Sequence, residues 1–245
     1  MSFAQTLPDS RPDYDLRVSG RCKRVIIKIT PLGKIEVVIP TGFDPARIPE
    51  ILQQRQHWLD THLGKLQARW AKAPDEHDLR PELIHLRALG RRWQVGYRSW
   101  SGRQVRLKEK GQHLQLHYPQ AVEADTLNSR RLQKWVNEQA RQHLLPWLAQ
   151  TADELALPYQ RACIRAQKTR WGSCSSNRVI NLNRNLLFLP PQLVRYLFVH
   201  ELSHTRHMNH SRQFWQQVAR AEPDYRRLDA ELGQAASYLP RWIHV

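Results

Sequence analysis

Alternating apolar and polar positions predict two β regions in the first half of the chain. Residues 24–40, RVIIKITPLGKIEVVIP, hold two β-branched runs around a Pro-Leu-Gly-Lys turn, which is typical of a hairpin. Residues 82–118 hold two further pairs of alternating runs, with turns near Gly90 and at Lys110 and Gly111. The alternation places arginines and lysines together on one face of these strands.

Helical spacing of apolar residues follows each β region. After the hairpin, Asp44 is suited to cap a helix with Pro45 at its first position, and large apolar residues then recur with helical spacing. A polar linker, AKAPDEHD, separates this helix from the second β region. A longer helical pattern runs over residues 125–155, where Pro146 predicts a kink or an interruption.

The last third of the chain has a different pattern. It predicts a strand, a turn rich in glycine and serine, and another strand at about residues 179–182. A helix is then expected from about Gln192 through a group of histidines, followed by two short helices from about Ser211 and Pro223.

Together these elements indicate an α+β fold, in which a β-rich N-terminal region precedes a helical core with a small sheet. We expect three parts along the chain. They are a flexible N-terminus at residues 1–20, a β-rich region with one long helix at 21–120, and a helical domain at 121–245.

Length and composition exclude several protein classes. The 245 residues are 41% hydrophobic, which is enough for a folded core. No apolar run is long enough to span a membrane, and the polar, proline-broken start does not have the pattern of a signal peptide. The three cysteines form no CxxC pair, so we expect a reducing, cytoplasmic location without disulfides.

The formal net charge of +16 predicts anionic partners. The excess of arginine and lysine is spread over the chain and is denser after residue 160. Such a surface attracts nucleic acid or nucleotides, although a solvated basic surface without a specific ligand is an equal alternative.

The segment HELSH, from His200 to His204, fits the HExxH pattern. On a helix, residues four apart lie on one face, so both imidazoles can reach a single metal ion. Glu201 lies about 100° further around the helix, where the general base for a metal-activated water belongs.

Three residues compete for the place of a third metal ligand. His207 lies about 10.5 Å along a straight helix from His200, too far to complete a tetrahedron. His210 is preferred, because a left-handed cap at Asn209 would turn the chain back over the metal. Glu222, on a later helix, ranks second, and His207 is expected to be a helix-end or supporting residue.

The segments KTRWGSCSSNRVINLN and VRYLFVHELSHTRHMNHSRQFWQQV, followed by PDYRR, resemble the YgjP-like metal-dependent hydrolases, relatives of the SprT-like and WLM zinc peptidases. The resemblance covers most of the chain. It implies a zincin-like catalytic region and one zinc ion per chain. It also implies that His200, His204 and His210 hold this ion and that Glu201 is the catalytic base.

The segment RWGSCSS suggests further site residues. Arg170 could bind an anionic group of a substrate, and Ser173 or Cys174 could lie on a strand edge beside the metal. A structural role, with Gly172 in a turn and Cys174 as a small buried residue, is the stronger alternative. Tyr225 could donate to an oxyanion, although packing is its more ordinary role.

These patterns predict a zinc-dependent hydrolase, and among such enzymes they favour a metallopeptidase. One alternative is a nucleoside triphosphate phosphohydrolase at the same metal, although the chain has no GxxxxGK[ST] loop. Another is a nucleic-acid-binding protein with a structural zinc, in which basic residues of the second β region interleave with Trp93, Tyr97 and Trp100. The substrate stays open between protein and nucleotide, and no membrane partner is expected.

Overall fold

The computed structural model describes residues 13–72, 78–120 and 124–245. These residues form two compact units, one before the segment 73–77 and one after it. Most of the polar linker predicted before the second β region lies in that segment, outside the described residues. The division predicted at residue 121 stays a prediction. Across the described residues, the predicted α+β class is confirmed by three small sheets and six α-helices.

The first unit is built on a three-stranded sheet in the order β1-β3-β2. Its strands are β1 (Tyr14–Ser19), β2 (Ile26–Ile29) and β3 (Ile35–Pro40). The predicted hairpin is confirmed, since β2 and β3 pair in antiparallel fashion around a turn in which Gly33 has a φ of 81°. Strand β1 pairs with β3 in parallel, so the flexible segment predicted for residues 1–20 already contains a strand. Residues 1–12 lie outside the described part of the chain.

The helix predicted after this hairpin is present, but it is divided. The Asp44 carboxylate accepts a hydrogen bond from the Ala46 N–H at 3.0 Å, which confirms the predicted cap. A 3-10 turn at Pro45–Arg47 leads into α1 (Ile48–Gln54), and α2 (Gln56–Lys72) follows. The Arg55 N–H bonds to the carbonyl oxygens of the last turn of α1 and closes that helix. The buried core of this unit comprises Ile35, Val37, Ile39, Ile48, Leu52 and Leu59.

The second unit begins with a four-stranded sheet in the order β4-β5-β7-β6. Its strands are β4 (Leu83–Leu86), β5 (Arg91–Trp100), β6 (Arg106–Lys110) and β7 (His113–Pro119). Both predicted turns are confirmed, because Gly90 and Gly111 adopt positive φ angles between antiparallel strands. The two hairpins join through the parallel pairing of β5 with β7.

The longest helix, α3 (Ala124–Leu155), packs against one face of this sheet. It continues through Pro146, so the predicted interruption is absent. Leu144 and Leu148 lie on either side of the proline and are both fully buried, so packing holds the helix across the missing backbone hydrogen bond.

A third sheet and three helices complete the second unit. The sheet, in the order β8-β10-β9, consists of β8 (Arg161–Arg165), β9 (Gly172–Cys174) and β10 (Val179–Asn183). The helices are α4 (Pro191–Ser203), α5 (Arg212–Ala221) and α6 (Tyr225–Gly233). Their buried residues join those of α3 and both sheets in one continuous core. Within the described residues, no helix is both long enough and apolar enough to cross a membrane.

Candidate metal centre

Helix α4 carries the HExxH segment at its buried C-terminal end. Eight of its first twelve residues are buried, and all of these except Glu201 are apolar or aromatic. The helix therefore lies within the core rather than on the surface. Glu201 is only 5% exposed and His204 only 9%. Burying a carboxylate and an imidazole is costly unless these groups have partners, so their placement calls for a ligand.

The chain leaves α4 earlier than the sequence suggested. The helix ends at Ser203, and the Thr205 and Arg206 N–H groups bond to the carbonyl oxygens three residues back. The predicted left-handed cap at Asn209 is wrong, because Ala156 and Arg178 are the only described residues other than glycine with positive φ. The turn at residues 204–209 therefore redirects the chain through helix-ending hydrogen bonds and without a left-handed residue.

This turn brings His200, His204 and His210 together. One nitrogen from each ring lies within 4.8 Å of the nitrogens of the other two. The Nε2 atoms of His200 and His210 are 3.2 Å apart. Nitrogens bound at about 2.1 Å to a tetrahedral ion are about 3.4 Å apart, so this donor set fits a metal with little movement.

The backbone of His207 orients one of these rings. The His204 Nδ1–H donates to the His207 carbonyl at 3.0 Å, which leaves the Nε2 lone pair of His204 free to bind a metal. Because the helix has already ended, His207 no longer follows the straight axis assumed from the sequence. Its predicted supporting role is thus filled by its carbonyl oxygen.

Burial favours the form of these rings that binds metal. Burial, with smaller contributions from His204 and His210, lowers the pKa of His200 to about 4. Burial also lowers the pKa of His204. Both rings are therefore neutral at physiological pH, and a neutral imidazole is the state that donates to a metal.

Phe214 packs against all three rings. Its ring centroid is 5.0 Å from that of His200, 4.5 Å from His204 and 4.8 Å from His210. Helix α5 places it there because the Ser211 hydroxyl accepts from the Phe214 N–H and caps the helix. The sequence predicted a helix from about Ser211, but no pattern in it indicates that Phe214 contacts the histidines.

A second aromatic stack leads from the histidines to Tyr225. The Trp215 ring stacks on His210 at 5.6 Å and on Tyr225 at 5.3 Å. The Tyr225 hydroxyl accepts a hydrogen bond from Arg226 Nε. Tyr225 thus lies one ring beyond the cluster, and its contacts are those of a packing residue.

Glu201 does not join the three nitrogens but lies against strand β9. A Cβ atom built on Gly172 would lie 2.7 Å from Glu201 Oε1 and 3.0 Å from its Cγ. Burial raises the pKa of Glu201 to about 8, and the positive charge of Arg170 opposes this shift. The glycine expected to form a turn is instead a strand residue that makes room for the carboxylate.

Asn183 fixes the loop that carries Arg170. This asparagine is 3% exposed, and its Nδ2 donates to the carbonyl oxygens of Gln167 at 2.7 Å and Arg170 at 2.8 Å. Its Oδ1 accepts from the Asn185 N–H. Sequence reasoning missed this residue, since an asparagine at the end of a strand carries no distinctive pattern.

The remaining candidates lie apart from the three nitrogens. Ser173 points to the opposite sheet face from Gly172, and its hydroxyl accepts from Asn181 Nδ2 at 3.4 Å. Burial, and then the charge of Glu201, raises the pKa of the Cys174 thiol to about 11, so it stays protonated and is a poor metal ligand. Glu222 pairs with Arg195 Nε at 2.9 Å.

Comparison with known proteins agrees with this geometry. Residues 23–235 match the family described as YgjP-like, metallopeptidase domain. Among curated proteins, no significant match was found.

Two solved structures show a weaker likeness. The metallopeptidase zymogen abylysin of Pyrococcus abyssi is 21% identical, with a TM-score of 0.36 over 40% of this chain and 98% of its own. The zymogen jannalysin of Methanocaldococcus jannaschii is 17% identical, with a TM-score of 0.34 over 38% of this chain and 96% of its own. The family match spans most of the sequence, so the chain belongs to the YgjP-like family of metallopeptidase domains and is a metal-dependent hydrolase.

Proposed function

We propose that this protein is a zinc-dependent peptidase. The observation that carries the proposal is the convergence of three imidazole nitrogens within 4.8 Å, one of them from His200, which the buried, non-ligand Glu201 follows directly on α4. Three protein ligands and an open position are typical of catalytic zinc sites, whereas structural sites use four protein ligands. Among the described residues, no fourth histidine, cysteine or carboxylate belongs to this cluster.

The donor set favours zinc among divalent metals. Imidazole nitrogens suit zinc, whereas magnesium and calcium prefer carboxylate and carbonyl oxygens. When bound, zinc supplies a Lewis acid that polarises a carbonyl group and lowers the pKa of a bound water. His204 keeps its binding nitrogen in place through the hydrogen bond to the His207 carbonyl.

Glu201 is the proposed general base. Its carboxylate accepts a proton from the attacking water and later donates this proton to the leaving amine. A group that both takes up and releases a proton works best when its pKa is near neutral, and burial against β9 raises the pKa of Glu201 to about 8. The positive charge of Arg170 opposes this rise.

Strand β9 favours a peptide as the substrate. It lies at the edge of its sheet and, among the described strands, pairs only with β10, while Gly172 at its start touches Glu201. An exposed strand edge can pair with an extended peptide through backbone hydrogen bonds. A substrate held in this way would pass directly beside the proposed base.

The replacement Glu201→Gln tests the proposal. It keeps the shape of the side chain but removes its ability to accept a proton. We therefore expect one zinc per chain in both proteins, and hydrolysis of unfolded protein and peptide libraries by the wild type alone. A control variant, Glu82→Gln, removes an exposed carboxylate outside the cluster and should leave both zinc and activity unchanged.

Nucleoside triphosphates, incubated in parallel, distinguish the alternative activity. If the wild type hydrolyses nucleoside triphosphates and not protein, and Glu201→Gln loses this activity, the protein is a phosphohydrolase at the same site rather than a peptidase. Wild-type peptidase activity in Glu201→Gln would refute the assigned role of Glu201.

A further inference from the structure

One face of the four-stranded sheet is strongly basic. Directly paired residues share a face, so the pairing register places five cations on the side of the sheet opposite to α3. We name this set the basic face, and its cations are Arg92, Arg98, Arg106, Lys108 and Lys110. All five are exposed.

The basic face lacks compensating negative charge. The described strand positions on this face hold no aspartate or glutamate. Glu109, on β6, points the other way and accepts hydrogen bonds from the buried indoles of Trp93 and Trp135. In the described part of the chain, no carboxylate pairs with any of the five cations. Oppositely charged cross-strand pairs would stabilise a sheet, so their absence here does not serve stability.

Two imidazole rings and an amide form a track along strand β7 between the cations. His113, Gln115 and His117 face the same side as the basic face. Lys110, Lys108 and Arg106 of β6 lie directly opposite these three residues, in that order. On the other side, Arg98 of β5 is opposite His117. Strand β7 thus presents two rings and an amide, and its neighbours β5 and β6 present positive charge.

Trp100 positions one of the cations. Its ring lies under the Arg106 guanidinium, 4.2 Å from the ring centroid, and its indole N–H donates to the Gln104 carbonyl. Two other aromatic residues named from the sequence do not contribute to this face. Trp93 is 3% exposed, and the Tyr97 hydroxyl donates inside the unit to the Pro81 carbonyl.

We propose that the basic face binds single-stranded nucleic acid. Cations along β5 and β6 would contact phosphates, while the imidazoles and amides of β7 would contact unstacked bases. An acidic peptide or a lipid headgroup could pair with the cations, but neither has bases for the rings and amide of β7 to contact. A duplex keeps its bases stacked and paired, so the groups of β7 could not contact unstacked bases, and a duplex fits poorly.

Fluorescence anisotropy with the full-length protein tests this proposal. The probes are labelled oligothymidine, oligouridine, a mixed-sequence duplex and an oligoglutamate peptide, each titrated over a range of salt concentrations. The wild type should bind both single strands more tightly than the duplex or the peptide. The comparison of oligothymidine with oligouridine then shows whether the face prefers DNA or RNA.

A matched pair of triple variants assigns the binding to the face. Arg98→Gln/Arg106→Gln/Lys108→Gln should weaken single-strand binding at least tenfold, and its slope of log affinity against log salt should fall by about 2, since each phosphate contact contributes about 0.7. The control, Arg130→Gln/Lys134→Gln/Arg141→Gln, removes the same charges from exposed positions of α3. It should keep wild-type affinity and slope.

A further variant tests the track itself. His113→Ala/His117→Ala should weaken binding about tenfold without changing the salt slope, because base contacts release no counterions. Equal losses in the two triple variants would show that net charge alone attracts the probe and would overturn the proposal. Preference for the duplex or for oligoglutamate, or no binding by the wild type, would also overturn it.

Discussion

Two neighbouring histidines at the metal centre differ in what they offer to a metal. His210 contributes a ring nitrogen 3.2 Å from that of His200. His207 contributes its carbonyl oxygen, which accepts from His204 Nδ1 and is present whatever side chain the residue carries. Removing the imidazole of each residue should therefore have opposite consequences for zinc affinity.

His210→Ala should lower zinc affinity more than about 100-fold, beyond the cost of losing a group that only supports a ligand. His207→Ala should bind zinc nearly as well as the wild type, since the carbonyl that orients His204 remains. Competition with a zinc chelator measures both affinities. Equal losses in the two variants would contradict the assignment of His210 as the third ligand.

A substitution at Gly172 should lower activity without loss of metal. In Gly172→Ala, the new methyl group would meet the Glu201 carboxylate at 2.7 Å, and the end of this side chain is the part most able to move. Turnover should fall at least tenfold while the zinc content stays at that of the wild type, since none of the three ligands is displaced.

Gly233→Ala is the matched control, because a Cβ atom there would meet no described atom within 4 Å outside its own helix backbone and chain neighbours. The kcat and zinc content of both variants should be measured on the same preparation. Full activity in Gly172→Ala would show that Glu201 does not need its present position.

At the scale of elements, local patterns predicted more than long-range pairing. The hairpin turns at Gly33, Gly90 and Gly111 follow from residues that tolerate positive φ, and the cap at Asp44 and the helix start at Ser211 follow from their side chains. Each of these signals lies within a few residues of the element that it determines. The three histidines were likewise predictable as a group, because their spacing reflects a helix and the turn after it.

Features determined by distant residues were not predictable in this way. The parallel pairings of β1 with β3 and of β5 with β7 join segments that no local pattern connects. The early end of α4 and the continuity of α3 through Pro146 depend on tertiary packing, which overrides local preference. The contact of Gly172 with Glu201 needs both a strand edge and a helix in place, so the sequence alone suggested only a turn.

The loop between β8 and β9 depends on one buried side chain. Asn183→Ala would leave the Gln167 and Arg170 carbonyls and the Asn185 N–H without their present partner. We expect a loss of about 2–4 kcal/mol in the free energy of unfolding, because buried polar groups without partners are costly. Thermal or urea unfolding measures this change.

Limited trypsin digestion of the same variant reports on the loop directly, since Lys168 and Arg170 are cleavage sites within it. Cleavage there should become faster in Asn183→Ala than in the wild type. Asn177→Ala, at an exposed turn position, should change neither stability nor cleavage. A stable, resistant Asn183→Ala protein would show that other contacts hold the loop.

At the scale of the whole molecule, the site belongs to one unit. The three histidines, Glu201 and every element described as touching them lie after residue 77, in the unit with the large continuous core. The described residues of the first unit form a separate core cluster of six buried side chains. A core of this size is marginal by itself, whereas the second unit has the length of an independent domain.

A chain of residues 75–245 should therefore fold alone and bind one zinc ion. Because zinc binds the folded state, a free concentration about 1,000 times the Kd should raise its free energy of unfolding by about 4 kcal/mol. Calorimetry of this chain and of the full-length protein, each with zinc and with a chelator, measures the effect. Both should show a similar zinc-dependent rise in Tm, and the rise should disappear when His210→Ala is introduced into either. A chain of residues 75–245 that is unfolded, or whose Tm does not respond to zinc, would show that the first 74 residues are needed to form the metal centre.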